Sequence, residues 1–217
     1  MKETGIENIA EKIKKLEIPK NVVLIAVSKK KPVEFIEEAY NSGQKNFGEN
    51  YIQEAIEKIK NLSHLKDIRW HFIGHLQSNK AKIAAQYFHM IQCVDSKKIA
   101  KKIDNACAEL NKKMPVLVEV NIGNEENKSG ILKKNLEELL DFIASLKNLE
   151  LKGLMCIPPA NKDPTPYFKD MKRIYDKFKQ MYELSILSMG MSGDYKSAIN
   201  EGSNMVRIGT AIFGSRN

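Results

Sequence analysis

The run Asn21-Val-Val-Leu-Ile-Ala-Val-Ser28 is apolar at both alternating sets of positions, the pattern of a strand buried on both faces in a parallel sheet. Pro32, just beyond it, suits the first residue of a helix, and Val33, Ile36, Ala39 and Tyr40 continue at helical spacing until Gly43 supplies a stop. The same succession recurs along the chain. Strands are predicted around Lys45–Phe47 and over Ile68–Ile73, Phe88–Val94, Pro115–Ile122, Leu149–Met155, Ile186–Met189 and Asn204–Ile208. Helical stripes fall between them. Ile52, Ala55, Ile56 and Ile59 follow Asn50 as a cap, and Ile99, Ile103, Ala106 and Leu110 follow Asp95 as a cap. A short helix reaches Ala85, Leu136, Leu139, Leu140 and Ile143 mark another, a long one runs from about Pro166 to Tyr182, and a short one covers Asp194–Glu201. At the amino end Ile6, Ile9, Ile13 and Leu16 share a stripe, which predicts an amphipathic helix over about residues 4–17 and not a signal peptide. Roughly eight strands alternating with helices argue for one α/β domain over residues 1–217, a single (β/α)8 TIM-type barrel and not an open doubly wound sheet.

A barrel of this kind carries its site at the carboxyl ends of its strands, so residues just after each strand are the candidates. Counting by two, Val23, Ile25, Val27 and Lys29 share one face, and an amine closes an otherwise apolar row. Desolvation and the nearby cationic Lys31 would both favour its neutral, nucleophilic form, as a Schiff-base lysine requires. The plain alternative is a strand-end lysine emerging into water. Asn50, His71, His75 and Asn121 stand at other strand ends, the histidines either as acid or base groups or, more commonly, as satisfied core or rim residues.

After the last two predicted strands come Met189-Gly-Met-Ser-Gly-Asp194 and Val206-Arg-Ile-Gly-Thr-Ala211. Small residues at a helix start let backbone N–H groups approach an anion, and the hydroxyls of Ser192 and Thr210 add donors, where barrels commonly hold phosphate. Arg207 lies in the apolar run Met205–Phe213 and needs an acceptor, either a carboxylate inside the barrel, for which Glu119 is placed, or a ligand atom.

Composition changes this picture little. The 217 residues are 42% hydrophobic and 29% charged, an ordinary globular balance without a low-complexity tract. The net charge of +8 permits attraction to phosphorylated molecules, but the lysines are spread along the helices without interleaved aromatics, which argues against nucleic acid. Cys93, Cys107 and Cys156 show no metal-ligand spacing and read as reduced structural thiols. No apolar stretch approaches membrane-spanning length, so the expectation is a soluble, cytoplasmic protein. On residues alone two classes fit: a Schiff-base aldolase acting on a phosphosugar, or a protein binding pyridoxal phosphate through an aldimine.

The segments Ala26-Val-Ser-Lys29 with Lys31-Pro32, Phe47-Gly-Glu-Asn-Tyr-Ile-Gln-Glu54, Trp70-His-Phe-Ile-Gly74 with Leu76-Gln-Ser-Asn-Lys80, Lys128-Ser-Gly-Ile131, Gly153-Leu-Met155, Gly190-Met-Ser192 and Met205–Gly214 together closely resemble the pyridoxal phosphate homeostasis protein family. They run in one order from the first strand to the last residues. The resemblance implies a barrel like the N-terminal domain of alanine racemase, with pyridoxal 5'-phosphate on Lys29 and a role in intracellular vitamin B6 balance as carrier or reservoir. It implies that Ser192, Gly209 and Thr210 hold the phosphate, that Arg207 faces the pyridine side of the ring, and that Asn50, His71 and Met191 line the pocket. It also implies pyridoxal-phosphate-requiring apoenzymes as recipients, no metal, no catalytic residue, and a monomer or weak dimer. His75 departs from the family, whose members often have proline there, and Lys128 is expected as a solvated loop residue near the entrance. An arginine beside the pyridine nitrogen disfavours ring protonation and makes the cofactor a weaker electron sink. Racemases resembling this fold also use a second, β-rich domain to enclose substrate, for which no residues remain in this chain. A racemase-like enzyme acting on a small amino acid is the alternative.

Overall fold

The computed structural model describes residues 8–215. Within them parallel strands β1 (Val23–Val27), β2 (Asn46–Glu49), β3 (Arg69–Phe72), β4 (Met90–Val94), β5 (Met114–Val120), β6 (Leu149–Cys156), β7 (Ile186–Ser188) and β8 (Met205–Ile208) close into a barrel in sequence order. Helices α1 (Ile9–Lys15), α2 (Val33–Asn41), α3 (Ile52–Asn61), α4 (Ala81–Tyr87), α5 (Lys97–Glu109), α6 (Leu136–Ala144), α7 (Thr165–Lys179), α8 (Tyr195–Asn200) and α9 (Thr210–Phe213) alternate with the strands. The predicted β/α barrel is therefore the observed one, closed where β1 pairs with β8. Among the described residues no helix is long and apolar enough to cross a membrane.

The helices form where their apolar stripes meet the barrel wall. In α5 Ile99, Ile103, Ala106 and Cys107 are buried, and in α6 Leu136, Leu139, Leu140 and Ile143 are buried. Each such leucine or isoleucine contributes about 1.5–3 kcal/mol through burial.

Three local expectations are corrected. The first helix begins at Ile9, because Asn8 is extended and its side chain accepts the Glu11 N–H at 2.9 Å, and it ends at Lys15; the predicted start at residue 4, with Ile6, lies outside the described residues. Asn50 does not cap α3, whose cap position is Tyr51 without a side-chain bond. Ser96, not Asp95, caps α5 by accepting the Ile99 N–H. At α5 a polar residue one place away satisfies the sequence pattern equally well, and backbone direction decides between the two.

Strand register decides which side chains enter the barrel. Gln92 on β4 hydrogen-bonds Ser188 on β7, a contact between distant strands that only the lumen allows. Ser188 pairs with Met205, and Met205 with Val23, so Val23, Ile25, Val27 and Arg207 share the lumen face with Gly48 and His71. Ser28, Phe47 and Glu49 belong to the opposite face, beneath the helices.

Gly153 on β6 shows how tightly the wall is drawn. A Cβ there would lie 1.8 Å from the Ile186 carbonyl oxygen. Gly153→Ala is expected to destabilise the fold by about 2 kcal/mol or more, since backbone and not a flexible side chain blocks the methyl. A urea midpoint equal to that of the parent protein would contradict this.

Candidate functional site

The lysine that ends the β1 row sits in a tight turn. Lys31 N–H donates to the Ser28 carbonyl at 3.0 Å, Ser28 N–H donates to the Gly48 carbonyl at 3.0 Å, and Lys30 adopts a left-handed φ of 58°. Such a conformation is unusual outside glycine and needs surrounding contacts to hold it. Those contacts come from behind the sheet. Lys58 of α3, only 5% exposed, donates its Nζ to the Ser28 carbonyl at 2.7 Å, to Glu49 Oε1 at 2.8 Å and to Glu54 Oε1 at 2.5 Å. Ser28 Oγ donates to the same Glu49 oxygen at 2.7 Å, and Glu54 accepts the Lys30 N–H. Lys29 is thereby presented, half-buried, by a turn whose neighbours on both sides are fixed.

This ionic cluster was missed in the sequence, although a signal was there. Lys58 stands three residues after Ala55, on the buried face of α3, where a lysine needs partners. Burial pushes the Glu49 carboxyl up from its ordinary value, and the charge of Lys58 is the main influence opposing that rise.

The loops after β7 and β8 meet beside β1. Ser192 Oγ accepts the N–H of Ala211 at 3.2 Å, and Gly209 lies against Val27, where an added Cβ would be 3.2 Å from the Val27 carbonyl oxygen. Lys31 Nζ also donates to the Ser215 carbonyl at 2.7 Å, tying the β1 loop to the segment after α9. Ser192, Gly209 and Thr210 are thus gathered at the same end of the barrel as Lys29, with Thr210 exposed. Met191, 37% exposed, donates its N–H to Asp194 Oδ1 at 2.6 Å and stands at the rim. Asn50, immediately after β2, has a buried Oδ1 with no hydrogen-bond partner among the described residues.

Arg207 is buried, and its protein acceptors are not the carboxylate that was one of the two expectations. Its Nη1 donates to Ser188 Oγ at 2.7 Å and its Nη2 to the Cys156 carbonyl at 2.9 Å, with no hydrogen bond to Glu119. Glu119 feels the guanidinium only through space. Burial outweighs that attraction and pushes its carboxyl up to about 7. His71 lies deep in the lumen, with Nε2 3.2 Å from Asn46 Oδ1 and Nδ1 3.2 Å from Gln92 Nε2. Desolvation, with smaller effects from His89 and Arg69, lowers its pKa to about 3, so the ring is neutral at physiological pH. Gln92 and Ser188 were also missed, yet a glutamine inside Met90-Ile-Gln-Cys-Val94 was a legible sign of a polar partner in the core.

His75 bridges loops, its Nδ1 3.3 Å from Ser129 Oγ, and Lys128 is paired with Glu125 at 2.7 Å and donates to the Pro158 carbonyl. The three cysteines are buried and unbridged.

Residues 6–217 match the family model described as alanine racemase, N-terminal domain. Similar curated proteins include the pyridoxal phosphate homeostasis protein of Vibrio alginolyticus, 44% identical over 91% of this chain and 88% of the relative. That of Aquifex aeolicus is 42% identical over 89% of this chain and 86% of the relative. Among solved structures, PipY of Synechococcus elongatus PCC7942 with PLP bound aligns at a TM-score of 0.90 and 36% identity, covering 95% of this chain and all of that one. Alanine racemase of Clostridium difficile 630 aligns at 0.81 and 16% identity over 97% of this chain and 60% of the racemase, a likeness of fold alone.

Proposed function

Since the chain belongs to the pyridoxal phosphate homeostasis protein family, we propose that it binds pyridoxal 5'-phosphate covalently through Lys29 and serves vitamin B6 homeostasis as a carrier or reservoir. The observation that carries this reading is the convergence at one barrel mouth of the half-buried lysine that follows β1, two small-residue loops joined by the Ser192–Ala211 contact, and an enclosed arginine.

The chain's own residues suit that group. Lys29 would provide the amine, Ser192, Gly209 and Thr210 the hydroxyls and backbone N–H groups for a phosphate, and Arg207 a fixed positive charge for the pyridine side. The orphan Asn50 Oδ1 is an acceptor still available to a ligand, and Met191 supplies apolar surface at the rim. When bound, the cofactor would bring an electrophilic aldehyde and an aromatic electron sink. Arg207 opposes that second capacity, because a guanidinium disfavours a proton on the pyridine nitrogen. His71, held neutral with both ring nitrogens engaged, is not poised to move a proton. The reading therefore joins binding to weak catalysis, with cofactor-requiring apoenzymes in the cytoplasm as recipients.

Borohydride reduction of the loaded protein followed by peptide mapping tests it. One adduct, on Lys29, is the expected outcome, together with amino-acid racemisation far below enzymatic rates, which have a median turnover of about 10 per second. Label scattered over surface lysines would sink the binding site, and turnover near that median would sink the carrier role.

A further inference from the structure

In the lumen beneath the site, polar groups that the proposed function does not use connect Arg207 to His71. Arg207 Nη1 donates to Ser188 Oγ at 2.7 Å, and Ser188 Oγ donates to Gln92 Oε1 at 2.9 Å. Gln92 Nε2 lies 3.2 Å from His71 Nδ1, and His71 Nε2 lies 3.2 Å from Asn46 Oδ1. Ser188 and Gln92 are 0% exposed and His71 and Arg207 4%, so water cannot replace a lost partner. The chain crosses the barrel through β8, β7, β4, β3 and β2.

Its donor direction is set from one end. A guanidinium has only donors, so Ser188 must accept from Arg207 and spend its own proton on Gln92 Oε1. That turns the Gln92 amide so that its NH2 faces His71, whose Nδ1 must then be the unprotonated nitrogen. The proton of the neutral ring is left on Nε2, where Asn46 Oδ1 accepts it. Gln92 Nε2 also reaches Met205 Sδ at 3.3 Å, which favours the same amide orientation.

We propose that Ser188, Gln92 and His71 form a directional hydrogen-bond relay that positions Arg207 for the cofactor, with the His71 tautomer and the guanidinium orientation set by each other. Ser188 is the immediate positioning residue and Gln92 the switch of direction. The relay works only with a neutral imidazole: a proton on Nδ1 would face the Gln92 NH2, and reversing that amide would leave the Ser188 hydroxyl without an acceptor. Burial is the main influence opposing such a proton, with smaller through-space effects from His89 and Arg69. The role assigned to Arg207 rests on the proposed function, whereas the direction of the relay does not.

Two measurements separate them. In cofactor-free protein labelled with nitrogen-15, the His71 ring is expected as the neutral Nε2–H tautomer, unchanged between pH 8 and about 5. In Gln92→Glu a carboxylate oxygen replaces the amide donor, so the proton should appear on Nδ1. An Nδ1–H tautomer in the parent protein, titration of His71 near its ordinary value of about 6.5, or an unmoved tautomer in Gln92→Glu would each overturn the relay. In loaded protein, Ser188→Ala should shift the absorption maximum of the bound cofactor and weaken its affinity about tenfold, the scale of one hydrogen bond to a charged group. Unchanged absorption and affinity would show that Ser188 does not position Arg207 for the cofactor. If no adduct forms on Lys29 even in the parent protein, the proposed function fails, and the tautomer measurement still decides the relay.

Discussion

Lys29→Ala is expected to eliminate the borohydride-fixed adduct and the visible absorption of the bound cofactor while leaving the barrel folded. Lys29 follows β1 in a turn at the barrel mouth, and it is half-buried and outside the packed core. Truncation should therefore cost about 1 kcal/mol or less in stability. What remains for the cofactor are the phosphate and ring contacts, enough for weak reversible binding but not for covalent capture. Two neighbouring lysines make the control necessary. Lys30→Gly removes an amine one residue away and suits the left-handed φ of 58°, so it should keep the adduct. Label persisting in Lys29→Ala, or lost equally in both variants, would place the covalent chemistry elsewhere.

Lys58→Met is expected to have the largest effect on stability, about 3–5 kcal/mol, because it strands the Glu49 carboxylate. Among the described residues Glu49 is 0% exposed, its Oε2 has no hydrogen-bond partner, and without Lys58 its remaining side-chain donor is the Ser28 hydroxyl. The sign of the pH dependence follows. Burial raises the Glu49 pKa above its unfolded value, so between the two values the folded state binds the proton more tightly and stability falls as pH rises. Loss of the lysine lifts the folded value further. The deficit of Lys58→Met should thus be greater at pH 8 than at pH 5, where protonated Glu49 needs no counter-charge. Adding Glu49→Leu should recover much of the loss, since an apolar pair can replace a buried ion pair. Urea unfolding at both pH values provides the check, and a deficit that ignores pH, or an unchanged midpoint, would contradict the account. The turn presenting Lys29 should also loosen, because Lys58 grips the Ser28 carbonyl.

The difference between these two lysines shows what the sequence disclosed. Alternation along β1 singles out Lys29 in line with Val23, Ile25 and Val27, because strand periodicity is local and needs no knowledge of neighbours. The barrel followed from the same kind of pattern, repeated. Lys58 was passed over within an apolar helical stripe, since its partners come from β1, β2 and its own helix and meet only after the wall has closed. Arg207 falls between these cases. Its need for an acceptor was legible, but of the two readings the protein carboxylate, Glu119, is not its hydrogen-bond partner, while the structure supplies Ser188 and the Cys156 carbonyl. A backbone carbonyl carries no residue signature, and the choice of Ser188 depended on the pairing of β7 with β8. The caps of α3 and α5 failed for a smaller reason, a one-residue ambiguity that only backbone direction resolves.

The seam between β1 and β8 has a consequence for synthesis. It joins residue 23 to residue 205, and the loops gathered beside Lys29 belong to the last strands made. Long-range pairing of this kind forms late, after the entropy of closing nearly the whole chain has been overcome. A ribosome-bound chain that has exposed Lys29 has not yet made Arg207 or Thr210, so the lysine emerges long before anything that could hold an anion beside it. On the proposed function, cofactor capture would in this way be withheld from unfinished chains.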